Sequence, residues 1–249
     1  MTAPDPAQEE RPLIAHLLEL RARLVKGVVA VLVAFGVAAF FSNPLYALLS
    51  KPLLATLPAG SQLIATDPLT PFSTPLRLAL YVALLAAAPV LLYQLWAFVA
   101  PGLYRRERRL AAPMLVSSIL LFYAGCAFAY YVLLPAMFRF IAFTRPEAVA
   151  LMPDIARYLD FVAVIALASG LGFELPVAIT LCAMFGWVTP AQLRQGRGYA
   201  VIGIAVVAML ITPGDGLSML LMMAPMYLLY EAGIIAAGLA MPRPDDARA

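Results

Sequence analysis

Residues 110–138 read LAAPMLVSSILLFYAGCAFAYYVLLPAMF, a run of 29 residues without Asp, Glu, Lys or Arg. Two other charge-free runs cover residues 27–50 and 78–104 and contain 24 and 27 residues. A helix needs about 20 apolar residues to cross the hydrocarbon core of a bilayer. Each of the three runs is therefore long enough to form a membrane-spanning helix.

The composition of the whole chain also indicates a membrane protein. Of its 249 residues, 63% are hydrophobic and 12% are charged, whereas a soluble domain has about 25% charged residues. A soluble domain of this length would lack the charged side chains that its surface requires. The composition thus excludes ordinary soluble enzymes, nucleic-acid-binding proteins and extracellular disulfide modules.

The hydrophobic pattern predicts an all-α, polytopic fold with six membrane-spanning helices, at about residues 24–41, 73–100, 110–134, 158–185, 199–211 and 217–239. The first span follows a long stretch with several acids, so we interpret it as a retained helix and not as a cleaved signal peptide. Pro89 predicts a kink in the second span, and Glu174 and Pro176 interrupt the fourth.

The last two spans are shorter. The fifth, with 13 residues, reaches about 20 Å, against about 30 Å for the hydrocarbon core. We expect a locally thinned bilayer there, or a hairpin that does not cross fully.

The distribution of Lys and Arg predicts that both termini are cytoplasmic. With six spans, the termini share one side of the membrane, and the segments on that side hold 12 of the 17 basic residues. The opposite side holds 5. Cytoplasmic loops carry the excess of Lys and Arg, so the terminal side is the cytoplasmic one.

We interpret residues 1–249 as one integral membrane domain. It begins with a cytoplasmic amphipathic stretch, 1–23, continues with a six-helix core, 24–240, and ends in a disordered cytoplasmic tail, 241–249. The outer segment 42–72 and the helix edge beside it contain prolines at positions 44, 52, 58, 68, 71 and 75. Proline restricts its own backbone and that of its predecessor, which predicts a stiff outer cap.

Two acids lie where they could meet a cationic partner at the cytoplasmic surface. Residues 12–26 have leucines spaced for an amphipathic helix, with Glu19 and Arg23 four residues apart on its polar side. This pair is either an ordinary surface ion pair or a place where Glu19 offers its carboxylate to a partner. Glu107 lies among four arginines in the loop 102–109. Taken by itself, this cluster is best explained by orientation of the loop, since the arginines keep it inside and Glu107 reduces their mutual repulsion.

Glu174 lies near the middle of the fourth span, where an ionised carboxylate is costly unless it is wet, paired or protonated. It is either a protonated, hydrogen-bonded core residue or a proton-relay acid. Glu231 is nearer a helix end and is explained as an interfacial residue. The chain has one histidine, His16, and no phosphate-binding loop, so we expect no catalytic residues, no metal site and no cofactor.

A series of ordered motifs runs along nearly the whole chain: HLLELRARL at 16–24, WAFVAPGLY at 96–104, ERR at 107–109, FELPV at 173–177, TPGD at 212–215, and PMY at 225–227 followed by Glu231. Together they resemble the TatC family, the receptor core of the twin-arginine protein translocase. The resemblance covers about residues 12–240. Two departures from the family pattern are Gly214, where many members have proline, and Met219, where some have glutamine.

The resemblance implies a six-helix, glove-shaped fold with a concave face and both ends in the cytoplasm. It implies binding of folded precursors through twin-arginine signal peptides, and export that the proton-motive force drives across the bacterial cytoplasmic (inner) membrane. Partners would be membrane lipid, TatA- and TatB-type single-span subunits and further copies of the chain, but no nucleic acid. The matching positions for the signal-peptide site are Glu19, Leu20, Arg21, Phe98 and Glu107. Further functionally sensitive positions are Pro52, Tyr130, Glu174, Thr212 and Asp215.

Elementary chemistry agrees with this implication, because guanidinium groups bind carboxylates bidentately and Lys does not. The alternative function is a proton-coupled small-solute transporter that uses Glu174 and Glu231. A third possibility, a pure membrane scaffold, leaves Glu174 unexplained. The absence of an internal repeat argues against the transporter.

Overall fold

The computed structural model describes residues 6–42, 44–45, 64–99, 110–144, 153–212 and 216–240, with side chains from residue 17 onward. The described part of the chain forms helices, and its β-type pairing is an isolated parallel bridge between Ile64 and Asp154. The helices are α1 (Pro6–Phe40), α2 (Thr70–Val99), α3 (Ala111–Phe128), α4 (Leu134–Thr144), α5 (Ile155–Gly172), α6 (Leu175–Met184), α7 (Pro190–Gln195), α8 (Arg197–Ile211) and α9 (Gly216–Ala240). A π-helical turn, Ala129–Leu133, joins α3 to α4.

Five helical stretches in the described residues are long and apolar enough to cross a membrane. They are Leu17–Phe40, Thr70–Val99, Ala111–Thr144, Ile155–Met184 and Gly216–Ala240. The remaining predicted span, α8, is an apolar helix of 15 residues. The predicted all-α, multi-pass membrane fold is confirmed. The prediction that the last two helices are short holds for α8 but is wrong for α9, which has 25 residues because its helix includes Gly216 and Ala240 at its ends.

The amphipathic amino-terminal helix and the first predicted span form one continuous helix, α1, with no break near residue 23. No proline lies between residues 13 and 43, so nothing in this part of the sequence interrupts the helical hydrogen bonds. α1 packs chiefly on α2 and leaves much of its surface uncovered, with Val33 65% exposed. This uncovered surface is the one that lipid would contact.

The third span continues beyond the predicted end at residue 134, up to Thr144. The π-helical turn Ala129–Leu133 lies just before Pro135. In a regular α-helix the ring of Pro135 would clash with the carbonyl of residue 131, and the wider turn accommodates it. Arg139, which ends the charge-free run in the sequence, is exposed on the outside of α4 and does not end the helix.

Two close helix crossings hold the core together at glycines. A Cβ on Gly125 of α3 would lie 2.5 Å from the carbonyl oxygen of Ser169 on α5, and a Cβ on Gly233 of α9 would lie 2.9 Å from Cα of Pro176 on α6. Small residues allow helix backbones to approach each other in membranes. The buried hydrophobic core includes Met137 of α4, Leu159 of α5 and Ile234 of α9.

The predicted interruption of the fourth span is confirmed. α5 ends at Gly172, Phe173 and Glu174 form a turn, and α6 begins at Leu175. Pro176 lies in the first turn of α6, where its missing N–H is tolerated. The break places a carboxylate between two helices of the same span.

The segment before α2 and the segment before α5 meet at Asp154. The Ile64 N–H donates to the Pro153 carbonyl at 3.1 Å, and the Ile155 N–H donates to the Ile64 carbonyl at 2.9 Å. Asp154 Oδ2 accepts hydrogen bonds from Thr66 N and Oγ1, at 3.1 and 2.7 Å. The predicted stiff cap lies mostly in residues 46–63, outside the described part of the chain.

Candidate functional site

An apolar groove of about 460 Å³ lies between the antiparallel helices α1 and α2. Leu20 and Leu24 line it at the amino-terminal end of the spanning part of α1, and Phe98 lines it at the end of α2. The polar side chains in its lining are Arg23 and Gln94, which lie at the same end. The groove is therefore a hydrophobic slot with a polar mouth.

Glu19 lies one helical turn before Arg23 at this mouth. Arg23 Nε donates to Glu19 Oε1 at 3.0 Å, and Arg23 Nη2 donates to the same oxygen. Oε2 of Glu19 has no part in this pair, and the side chain is 38% exposed. The ion pair that the sequence predicts is present, and it leaves one carboxylate oxygen for a further donor.

The structure brings three of the five predicted peptide-binding residues together. Leu20 and Phe98 line the groove, and Glu19 lies at its mouth. Arg21 is exposed and is not among the lining residues. Glu107 lies in 100–109, outside the described residues, and so do Pro52 and Asp215.

Glu174 is hydrogen-bonded into the helix bundle. Ser118 Oγ donates to Glu174 Oε2 at 2.7 Å, and Trp96 Nε1 donates to Ser118 Oγ at 3.2 Å. Glu174 Oε1 is buried and has no partner among the described residues. This places the residue in a cross-helix network. Sequence reasoning missed Ser118, although Ser117 and Ser118 stand out as polar residues in the charge-free run 110–138.

The two remaining predicted positions within the described residues have local contacts. Tyr130 is half-buried in the π-helical turn, and its ring lies 4.9 Å from that of Tyr131 in an edge-to-face arrangement. Thr212 is buried at the end of α8, where its hydroxyl donates to the Ala208 carbonyl at 2.9 Å. Neither contact by itself assigns a function.

Glu231, the second acid of the transporter alternative, is ion-paired. Arg197 Nε lies 2.8 Å from Glu231 Oε1, and Tyr227 Oη donates to the same oxygen at 3.1 Å. The sequence alone does not indicate that Arg197 pairs with Glu231, because the two residues are 34 positions apart. The described residues contain no group of three or more His, Cys, Asp or Glu side chains that could hold a metal ion.

Comparison with known proteins places the chain in a family. The family model of the Sec-independent protein translocase protein (TatC) matches residues 15–225. The TatC protein of Escherichia coli strain K12 is 50% identical over 227 residues, which cover 91% of this chain and 88% of that protein. The TatC protein of Azotobacter chroococcum mcd 1 is 47% identical over 247 residues, covering 99% of this chain and 97% of that protein.

A solved structure has the same fold. The crystal structure of the twin arginine translocase receptor TatC superposes with a TM-score of 0.76 at 35% identity, and the match covers 90% of this chain and 99% of that chain. The family is one of protein translocase components and not of enzymes, and the small-solute transporter is not supported. The chain belongs to the TatC family of Sec-independent protein translocase proteins.

Proposed function

We propose that this chain is the receptor subunit of a twin-arginine protein translocase in the bacterial cytoplasmic membrane, and that it binds the signal peptides of folded precursors at the mouth of the α1–α2 groove. The observation that carries the proposal is the position of the Glu19 carboxylate directly beside an apolar slot. This is the chemistry that a peptide with arginines followed by an apolar segment requires.

The dimensions of the groove support this ligand. From Leu20 to Leu32 the lining of α1 extends over 13 residues, which are separated by 12 steps of 1.5 Å, or about 18 Å. The apolar region of a secretory signal peptide has about 7–15 residues, and a helix of that length would be about 10–22 Å long. An apolar segment of this size would place its preceding arginines at Glu19.

A second carboxylate for the second arginine is proposed to be Glu107. α2 ends at Val99, one residue after Phe98, so the loop 100–109 begins at the same end of the groove as Glu19. Arg21 and the four arginines of this loop would orient the chain and attract anionic lipid headgroups. Both termini are then cytoplasmic.

The remaining implications of the family are part of the same proposal. TatA- and TatB-type single-span subunits and further copies of this chain would complete the translocase, and the proton-motive force would drive export without nucleotide hydrolysis. Pro52, Tyr130, Glu174, Thr212 and Asp215 are proposed as positions at which substitution weakens transport. Among the described positions, Glu174 accepts a hydrogen bond from the buried hydroxyl of Ser118.

Binding of a twin-arginine peptide to the protein in nanodiscs tests the receptor site. Glu19→Gln and Glu107→Gln each remove a charge-assisted hydrogen bond worth about 1.5–3 kcal/mol, and this corresponds to a loss of affinity of about 10- to 150-fold. A twin-lysine peptide should bind more weakly to the unmodified protein, because Lys cannot form the bidentate contact.

Arg23→Gln is the matched control for Glu19→Gln. It breaks the same ion pair but leaves the carboxylate free for the ligand. A surface pair of this spacing is worth about 0.2–0.5 kcal/mol, so peptide affinity should stay within a factor of about two of the starting value or rise. Affinities near that of the unmodified protein in Glu19→Gln, Glu107→Gln and the double variant, all with an intact fold, would contradict the proposed site.

A further inference from the structure

Three side chains from different parts of the fold form a buried hydrogen-bonded chain. Trp96 lies on α2, Ser118 on α3, and Glu174 at the break between α5 and α6. Trp96 Nε1 is 3.2 Å from Ser118 Oγ, and Ser118 Oγ is 2.7 Å from Glu174 Oε2. Trp96 is 5% exposed and Ser118 is 1% exposed.

The two hydrogen bonds have defined donors and acceptors. The indole N–H can only donate, so Ser118 Oγ accepts from Trp96. Accepting from Trp96 leaves the Ser118 hydroxyl able to donate, and in the structure its hydrogen bond runs to Glu174 Oε2. A protonated carboxyl group has one oxygen that accepts and one that carries hydrogen. With Oε2 accepting from Ser118, Oε1 is the oxygen left to carry the proton.

Glu174 forms this contact instead of a local one. It occupies the position before the first residue of α6, where a carboxylate could accept from the free backbone N–H groups of the helix. Its side chain forms no such hydrogen bond. The carboxyl group is turned towards α3, and its other oxygen, Oε1, is buried without a partner among the described residues.

We propose that Ser118, oriented by Trp96, is a positioning residue that holds Glu174 Oε2 as a permanent acceptor, so that Glu174 gains and loses its proton at Oε1 alone. The inference rests on the proposed function only in treating Glu174 as a working residue of the translocase. In the part of the chain that the structure describes, Ser118 provides the polar contact to this carboxyl group, and no charged side chain from a packed element acts on it.

The same stretch of α2 also forms a wall of the peptide groove. Gln94, Leu95 and Phe98 face the groove, whereas Trp96 faces Ser118. α2 thus has the proposed peptide site on one side and the hydrogen bonds that lead through Ser118 to Glu174 on the other.

Infrared spectroscopy of the full chain in nanodiscs tests the assignment. The difference spectrum between the unmodified protein and Glu174→Gln, recorded under acidic conditions, isolates the C=O stretching band of the protonated Glu174. A carbonyl oxygen that accepts a hydrogen bond absorbs at lower frequency than a free one. In Ser118→Ala the band should move to higher frequency, and Trp96→Phe should move it in the same direction by less, because the hydroxyl still donates.

Ser117→Ala is the matched control, because the Ser117 hydroxyl donates to the Pro113 carbonyl at 2.9 Å and not to Glu174. It should leave the band unchanged. An unchanged band in Ser118→Ala, or an equal shift in Ser117→Ala, would overturn the proposal. If Ser118→Ala does not fold, the shift in Trp96→Phe decides. Failure of twin-arginine peptide binding in the unmodified protein would contradict the proposed function and would leave the infrared result unaffected.

Discussion

The guanidinium of Arg197, at the start of α8, forms a bidentate ion pair with the carboxylate of Glu231 on α9. Arg197 Nε is 2.8 Å from Glu231 Oε1, and Arg197 Nη2 donates to Glu231 Oε2 at 2.8 Å. Tyr227, one turn before Glu231, donates its hydroxyl to Oε1 at 3.1 Å. The pair connects the first residue of α8 to α9.

We predict that Arg197 and Glu231 stabilise the protein as a pair. Arg197→Gln, Glu231→Gln and the double variant should lower the midpoint of thermal unfolding in detergent by similar amounts, because the pair is lost once in each. Arg197→Lys should restore only part of the loss, since Lys cannot make both contacts. Additive effects of the two single changes would show that the residues act independently.

Gly125 is predicted to tolerate no side chain. A Cβ there would lie 2.5 Å from the Ser169 carbonyl oxygen and 2.9 Å from Cα of Gly170, so α3 and α5 would have to separate. Gly125→Ala should lower the free energy of unfolding by about 1–3 kcal/mol, measured by thermal or denaturant unfolding in detergent.

Gly36→Ala is the control for Gly125→Ala. A Cβ on Gly36, inside α1, would meet nothing within 4 Å. Alanine is preferred to glycine in a helix by about 0.5–1 kcal/mol, so this variant should be as stable as the unmodified protein or more stable. Equal stability of Gly125→Ala and Gly36→Ala would contradict the close crossing.

The sequence predicts the spans well, because a long apolar run in a membrane protein can form few structures other than a membrane-spanning helix. It ends the third span at residue 134, before Pro135, whereas the helix continues to Thr144 with the side chain of Arg139 turned outward. It also predicts the break at Glu174, where a buried acid and Pro176 lie together. It could not predict the hydroxyl of Ser118 as the partner of Glu174, because contacts between α3 and the α5–α6 break depend on helix rotation, which periodicity does not determine.

The groove between α1 and α2 likewise could not be predicted from the sequence. The resemblance indicates Glu19, Leu20 and Phe98, but the slot that they share results from the antiparallel packing of α1 and α2. Gln94 at its mouth carries no sequence signal beyond being a polar residue in an apolar run. Long-range pairs such as Arg197 with Glu231 likewise become visible only when the helices are placed.

The contact between the segments that precede α2 and α5 is predicted to depend on pH. The pKa of Asp154 is lowered from 3.8 to about 2, first by the hydrogen bond from the Arg157 backbone N–H and then by those from Thr66. Because this pKa is lower in the folded state, the ionised side chain stabilises the contact above pH 3.8, and the stabilisation is lost as the pH falls towards about 2.

Hydrogen exchange at the Ile64 and Ile155 amides measures this contact, since both donate across it. Asp154→Asn should speed the exchange of both amides at neutral pH, and Thr66→Val should speed it at Ile64 more than at the α5 amides. Unchanged exchange in Asp154→Asn would show that the backbone bridge holds the segments without the carboxylate.

The last prediction concerns the bilayer beside α8. The helix has 15 residues and is about 22 Å long, whereas α9 has 25 residues and is about 37 Å long. The hydrocarbon core is about 30 Å thick. The outer surface of α8 is apolar, with Leu210 81% exposed close to its end. A helix too short for the bilayer is accommodated by local thinning, so we expect thinned lipid along α8.

Single cysteines along α8 test the thinning, in a background in which Cys126 and Cys182 are replaced by Ala. Tyr199 and Leu210 are both exposed on the helix, and cysteines at these positions should react with water-soluble maleimide from opposite sides of the membrane. Cysteines at Ile202 and Val206, between them, should be protected. Exposed positions on α9 such as Leu228 and Ile235 are the control, because that helix is long enough to cross bilayer of ordinary thickness. Protection of every position from 197 to 211 would mean that the bilayer keeps its thickness and that the hairpin of α8 and α9 is buried in it.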